Sequence, residues 1–354
     1  MHSEVTRRSF LAAAAAAVMA RRVFARTDDK SGLTNPVLGE GEHRYECIHD
    51  WLKPPQRLLF GDTHGLAQDA AGRIYVAQTV HSTSTKGEAV AVYGADGKFI
   101  GAWGDRYRGG AHGLDVRSEP GAKPGDKPAE FLYHCDTNRR VVEKTDLNGE
   151  VVWSKGYPVE ASVYPAKEKY CPTNVAFLPD EDGKAGDILV GDGYGSSYIH
   201  RFTAAGDFVR TVVQPGKEEG KVNCPHGLWV DSRSGTPRIA VADRGNRRIQ
   251  YFTLDGRHDG FVTAGMRQPC HFKTRGDLLL VPDLSSVVTL LGKDNKVVAH
   301  LGDGHPSPLR DKPREQFIPG KFIHPHTAIF LNNGDILVAE WVPIGRVTLL
   351  RKVS

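Results

Sequence analysis

The sequence predicts an all-β fold, a six-bladed β-propeller with four-stranded blades around a central channel, and three observations carry that prediction. First, a module recurs at spacings of about 45 to 60 residues, each copy opening on His or Asn ahead of an apolar run. The openings are His64-Gly65-Leu66, His112-Gly113-Leu114, Asn174-Val175-Ala176, His226-Gly227-Leu228, His271-Phe272 and His326-Thr327-Ala328. Second, each copy continues into an apolar run that ends on a polar residue: Gln78, Asp136, Asp192, Asp243, Asp283 or Glu340. Third, tight-turn pairs such as Asp96-Gly97, Asn148-Gly149, Ala205-Gly206 and Asp255-Gly256 separate a third run from a fourth. No stretch has the period of a long amphipathic helix, and no Pro/Gly-rich linker splits the repeats, so residues 46–354 read as one domain.

Taken in order, residues 1–25 read as a signal peptide. Arg7-Arg8 precede the apolar run Phe10 to Ala20, and Val23-Phe24-Ala25 offers a small-residue cleavage site. That run is too short for a bilayer-spanning helix, so no integral membrane span is expected in the mature chain. The twin-arginine pattern implies bacterial export in the folded state to the periplasm or beyond, with any cofactor loaded first. Residues 26–45 are polar, lack either period and read as a linker or strap. Glu46 to Leu52 is expected to pair as a strand with the last module. Cys224 to Phe252 is the clearest single copy. Two longer Pro- and charge-rich loops, 118–127 and 303–316, are placed to fold over a face of the disc.

Composition is that of a soluble globular protein, with 40% hydrophobic and 25% charged residues. Formal charge is +4, most of it from Arg7, Arg8, Arg21 and Arg22 in the leader, so nothing points to nucleic acid as a partner. Five cysteines (Cys47, Cys135, Cys171, Cys224, Cys270) are an odd number for an oxidising compartment and include no CxxC pair. Their disulfide connectivity stays open. Cys171, Cys224 and Cys270 each precede a blade opening closely enough to approach one another.

Blade-opening strands line the axis of a propeller, so the openings form a ring at one mouth: His64, His112, Asn174, His226, His271 and His326. Any one of these histidines alone reads as a turn cap satisfied by hydrogen bonds. Five imidazoles in six places are hard to explain by packing. The polar strand ends read as structural anchors for neighbouring turns. Trp103, Trp153 and Trp229 read as blade packing.

At Asp192-Gly193-Tyr194-Gly195-Ser196-Ser197 with Ile199, Arg201 and Phe202, at Pro225-His226, at Ala242-Asp243-Arg244 through Phe252, and at His324-Pro325-His326, the chain resembles the NHL-repeat propellers. Within them it is similar to the peptidyl-α-hydroxyglycine α-amidating lyase catalytic core, over roughly His112 to the C-terminus. The resemblance implies zinc on His112, His226 and His326, Tyr194 as catalytic base with its proton affinity lowered by a nearby cation, and Arg244 as carboxylate clamp. It implies a small-molecule or peptide-derived substrate whose carbinolamide C–N bond is broken. His64, His271, Asn174 and Gln78 are left as channel lining or second-shell partners. Two departures stand out. Gln78 replaces the family's first-blade arginine, which leaves Arg106 or Arg108 to complete the clamp. Thr327 replaces a carboxylate that helps hold a structural calcium, which argues against calcium in this channel. The competing reading is a non-catalytic propeller that binds a protein, peptide or glycan on its top face. A monomer is the expectation for a closed propeller.

Overall fold

The computed structural model describes residues 35–121 and 125–353, so the proposed leader at 1–25 lies outside the described residues. Six antiparallel sheets follow one another around the axis. After an N-terminal hairpin, β1 (Val37–Glu40) and β2 (His43–Ile48), blade one comprises β3 (Thr63–Gln68), β4 (Ile74–Gln78), β5 (Val90–Tyr93) and β6 (Phe99–Trp103). Blade two holds β7 (Ala111–Glu119), β8 (Ala129–Asp136), β9 (Val141–Thr145) and β10 (Val151–Lys155). Blade three holds β11 (Asn174–Phe177), β12 (Ile188–Gly191), β13 (Ile199–Phe202) and β14 (Phe208–Pro215), with the short β15 (Lys221–Val222) added in parallel. Blade four holds β16 (Pro225–Asp231), β17 (Arg238–Asp243), β18 (Arg248–Phe252) and β19 (His258–Val262). Blade five holds β20 (Lys273–Arg275), β21 (Leu278–Asp283), β22 (Val287–Leu291) and β23 (Val297–Gly302), and blade six β24 (Pro325–Phe330), β25 (Ile336–Glu340) and β26 (Arg346–Lys352).

Blade six takes its outer strand from the other end of the chain. β2 pairs antiparallel with β26, from Tyr45 opposite Lys352 to Ile48 opposite Leu349, and β1 adds a fifth strand. The expected pairing with the last module is therefore present, three residues earlier than the sequence suggests. Within the 26–45 stretch read as a linker or strap, residues 37–40 and 43–45 are strand. Leu38, Tyr45 and Cys47 are buried against Leu301, Phe322 and Leu350, but two turns and a charged edge hide their alternation. The seam between blades six and one is packed by Leu66, Val76 and Ala91 against Ile329, Leu337 and Val347. Thr63 Oγ1 donates across it to the Glu340 carbonyl at 2.7 Å.

The polar strand ends are turn anchors, as expected. Asp192 accepts from the Cys171 and Ser196 N–H groups at 2.6 and 2.7 Å, and Asp283 from those of Arg267 and Gln268 at 2.8 and 2.7 Å. Asp243 accepts from Asn223 N–H and Arg248 Nε, and Glu340 from Ile323 N–H and both forks of the buried Arg346. Gln78 does the same in blade one: its Oε1 accepts from Gly61 and Val80 N–H, and its Nε2 donates to the Glu88 carbonyl. Gln78 is thus an uncharged member of the anchoring ring, which corrects its assignment to the channel.

Candidate metal centre

Four histidines converge at one mouth of the channel. The His112, His226 and His326 ring centroids lie 4.7 to 4.9 Å apart, and His64 lies 4.8 Å from His112 and 4.6 Å from His326. Each sits near the start of an innermost strand, in β3, β7, β16 and β24. Ring nitrogens of His64, His112 and His326 fall within 4.8 Å of one another. His226 joins the cluster through its ring contacts, so the structure adds His64 to the set that the sequence singled out.

The backbone of the next blade orients these rings. His112 Nδ1 meets the Thr173 carbonyl at 2.9 Å, His226 Nδ1 the Cys270 carbonyl at 2.9 Å, and His326 Nδ1 the His64 carbonyl at 3.0 Å. A carbonyl can only accept, so Nδ1 carries the proton and Nε2 keeps its lone pair, the tautomer that binds metal. Burial holds all four imidazoles well below their ordinary pKa, His112 at about 3, which keeps them neutral. For His64 the neighbouring His112, Arg310 and Arg244 act in the same direction. The buried His326 Nε2 has no hydrogen-bond partner. Neutral, pre-oriented imidazoles with an unsatisfied inner nitrogen fit a zinc-type ion.

The glycine after the histidine makes this orientation feasible. A Cβ on Gly227 would sit 2.3 Å from the Cys270 carbonyl, and one on Gly113 2.3 Å from that of Thr173, the same oxygens the rings engage. Gly227→Ala is therefore expected to push the two blades apart and weaken metal binding roughly tenfold or more, as loss of an orienting partner does. Metal titration of the folded variant checks this, and unchanged affinity would refute the orienting role.

Tyr194, in the turn after β12, keeps 44% of its surface exposed while its hydroxyl dips between two imidazoles. The hydroxyl lies 3.0 Å from His226 Nε2 and 3.3 Å from His112 Nε2. Burial of that end pushes the phenol up to about 12, against the pull of Arg244. The expected lowering of its proton affinity is thus outweighed by desolvation. The Arg244 guanidinium carbon is 5.2 Å from the Tyr194 ring centroid. Its two terminal nitrogens face sulfur, Cys224 at 3.2 Å and Cys270 at 3.8 Å. Among the described residues no carboxylate lies within ion-pair distance of it, so its charge is available to an anion. Cys224 and Cys270 do approach a common point, and all five cysteines are free thiols.

Asn174 and His271 belong to a deeper layer. Asp115, on β7 below His112, accepts from Asn174 Nδ2 at 3.2 Å, pairs with Lys273 Nζ and faces His271 Nε2 at 3.6 Å. Asn174 Oδ1 also accepts from Leu228 N–H. Burial works to raise the Asp115 carboxyl, but Lys273 and His271 more than offset it and leave it low. Lys273 thus places a cation inside the channel, 4.4 Å from the Trp229 ring centroid. Sequence reading missed Asp115 and Lys273 because they come from blades two and five and neither carries a motif.

Arg106 does not complete a clamp. It bonds the Gly149 carbonyl at 2.8 Å and lies 3.7 Å from Glu143. Arg310, from the 303–316 loop, comes closer to the mouth: it pairs with Asp62 at 2.9 Å, lies 4.1 Å from the Trp341 ring centroid, and its field acts on His64. That loop does fold over the disc.

Comparison with known proteins matches this architecture. No family model matches the chain. Among solved structures, a streptogramin B lyase superposes with TM-score 0.56 at 12% identity, over 86% of this chain and 98% of that one. A gluconolactonase from Xanthomonas campestris gives 0.52 at 15%, over 82% and 87%. At such identities they establish the fold alone. Among curated proteins, NHL repeat-containing protein 3 of Homo sapiens is 30% identical over 254 residues, 68% of this chain and 67% of that protein. Six NHL-type blades and this relative together place the chain in the NHL repeat-containing proteins.

Proposed function

We propose that the chain is an exported, metal-dependent lyase-like enzyme that takes a small, carboxylated, peptide-derived substrate into the histidine mouth. The observation that carries this reading is the convergence of neutral imidazoles with the Tyr194 hydroxyl and an arginine that has no carboxylate partner. The imidazoles of His112, His226 and His326 would hold zinc. When bound, zinc supplies positive charge that acidifies a substrate hydroxyl and opposes the burial that keeps the Tyr194 proton in place. Arg244 would grip the substrate carboxylate through its paired N–H groups, and Arg310, whose field also reaches His64, would add a second cation near the mouth. Tyr194, as phenolate, would take the carbinol proton. As the O–H electrons form the new carbonyl, the C–N bond breaks and the amide nitrogen receives a proton, giving a primary amide and glyoxylate.

Among the described residues no helix is long and apolar enough to cross a membrane. The twin-arginine leader supports a periplasmic or extracellular address, and the closed ring of blades supports a monomer. With Thr327 at the family's calcium position and Lys273 already supplying a cation to Asp115, we propose that the channel works without calcium.

Metal analysis of the purified protein tests the reading, followed by glyoxylate release from an α-hydroxyglycine peptide. One tightly bound equivalent, lost in a folded His112/His226/His326→Ala triple variant, is the expected result. Protein with no affinity for zinc would instead favour a non-catalytic binding propeller. Bound metal without glyoxylate release would place the chemistry on another substrate.

A further inference from the structure

We infer that the metal centre is built from four imidazoles, with His64 of blade one as a ligand beside His112, His226 and His326. This rests on the metal-centre reading above and changes its ligand set.

Strand pairing is the first support. The register between the innermost and second strands slips between Thr63 and Gly65, Ala111 and Leu114, Pro225 and Leu228, and Pro325 and Thr327. A bulge adds an unpaired residue and re-aims its side chain, and bulges are enriched beside active sites. Each slip contains one of the four converging histidines. In blade three the pairing from Asn174 opposite Gly191 onward is regular, and in blade five the register slips in the same way, between Pro269 opposite Asp283 and Lys273 opposite Leu280, but there Cys270 follows the first bridged residue and His271 comes one place later. These are the two blades whose openings turn to Asp115 instead. The residue that follows the first bridged position is thus a histidine in four blades, and these four converge, whereas His271 lies one place later in its blade and turns to Asp115.

The donor atoms agree with this sorting. Among the described residues the buried His326 Nε2 has no hydrogen-bond partner and His64 Nδ1 makes none of normal geometry, although the Ala111 backbone acts on the His64 ring as that of Thr173 acts on His112. A buried nitrogen left unsatisfied is costly, a cost that a bound metal ion removes. The group of ring nitrogens within 4.8 Å of one another includes His64. His64 is also tied into the ring through its own carbonyl, which accepts from His326 Nδ1.

Four neutral imidazoles would leave the full charge of a divalent ion on the centre and favour Zn, Cu, Fe or Ni over hard, oxygen-loving cations. They also complete a tetrahedral shell, so substrate access requires an ion that accepts a fifth ligand. This separates the site from a three-histidine zinc centre with a vacant fourth position.

The test loads the purified full-length chain with cobalt(II), counts imidazole ligands by X-ray absorption, and measures affinity by titration. Four imidazoles in the wild type, with three and a roughly tenfold or greater loss of affinity in His64→Ala, is the expected result. Three imidazoles in the wild type, with cobalt affinity unchanged by His64→Ala, would overturn the four-ligand centre and leave the metal site standing. A wild type that binds neither cobalt nor zinc would overturn both. Should His64→Ala not fold, the ligand count in the wild type decides alone, with His64→Gln as the shape-conserving variant.

Discussion

Tyr194→Phe is expected to lower kcat for carbinolamide cleavage by roughly 10²- to 10⁴-fold, the range for loss of a positioned general base, with metal content unchanged. The hydroxyl removed is the atom that lies 3.0 and 3.3 Å from the inner nitrogens of His226 and His112. The ring is retained, so its contact with the Arg244 guanidinium survives. Loss of the hydroxyl should therefore separate chemistry from binding, with kcat falling and KM nearly constant. Steady-state kinetics on protein of verified metal content would decide. A rate within a factor of two of wild type would remove Tyr194 from the mechanism, and a parallel loss of metal would reassign its hydroxyl to holding the ion.

Lys273→Met should destabilise the fold by about 3–5 kcal/mol, the cost of stranding a buried charge when its partner is removed. Asp115 is 1% exposed. Without the ammonium its remaining contacts are Asn174 and His271. Since these groups come from blades two, three and five, the loss would be felt across the channel. Chemical denaturation measures it, and the double variant Asp115→Asn/Lys273→Met should recover much of the loss because no uncompensated charge remains. Equal stability of wild type and Lys273→Met would show that water already solvates Asp115. Calcium binding gained by Lys273→Met would show that the ammonium occupies a cation position.

The repeat made the architecture legible, because strand ends and turn pairs such as Asp255-Gly256 are local signals. The openings at His112, His226 and His326 could also be read, since each precedes an apolar run. What could not be read depends on three-dimensional registry. The bulges leave no mark in the sequence, so nothing showed that His271 lies one place later in its blade than His64 does, which turns it to Asp115 instead of the cluster. Gln78 looked like a lost arginine because its position was matched to a family pattern, whereas its hydrogen bonds match those of the strand-end carboxylates in its own repeat. Arg310 reaches Asp62 across 248 residues of sequence, a separation that no local motif encodes. The outer hairpin was hidden because β1 is a short edge strand and the buried residues of the hairpin face another blade.

The seam between blades six and one also sets an order of events in time. β2 is made early and its partner β26 last, so the N-terminal hairpin waits as an unpaired edge through synthesis of nearly the whole chain. Closing so long a loop is slow compared with forming each local blade. The His326 ring finds the His64 carbonyl only across that seam, so the complete histidine mouth exists only after the circle has closed. A metal ion held by all of these imidazoles would thereby be captured last, in whichever compartment the chain finishes folding.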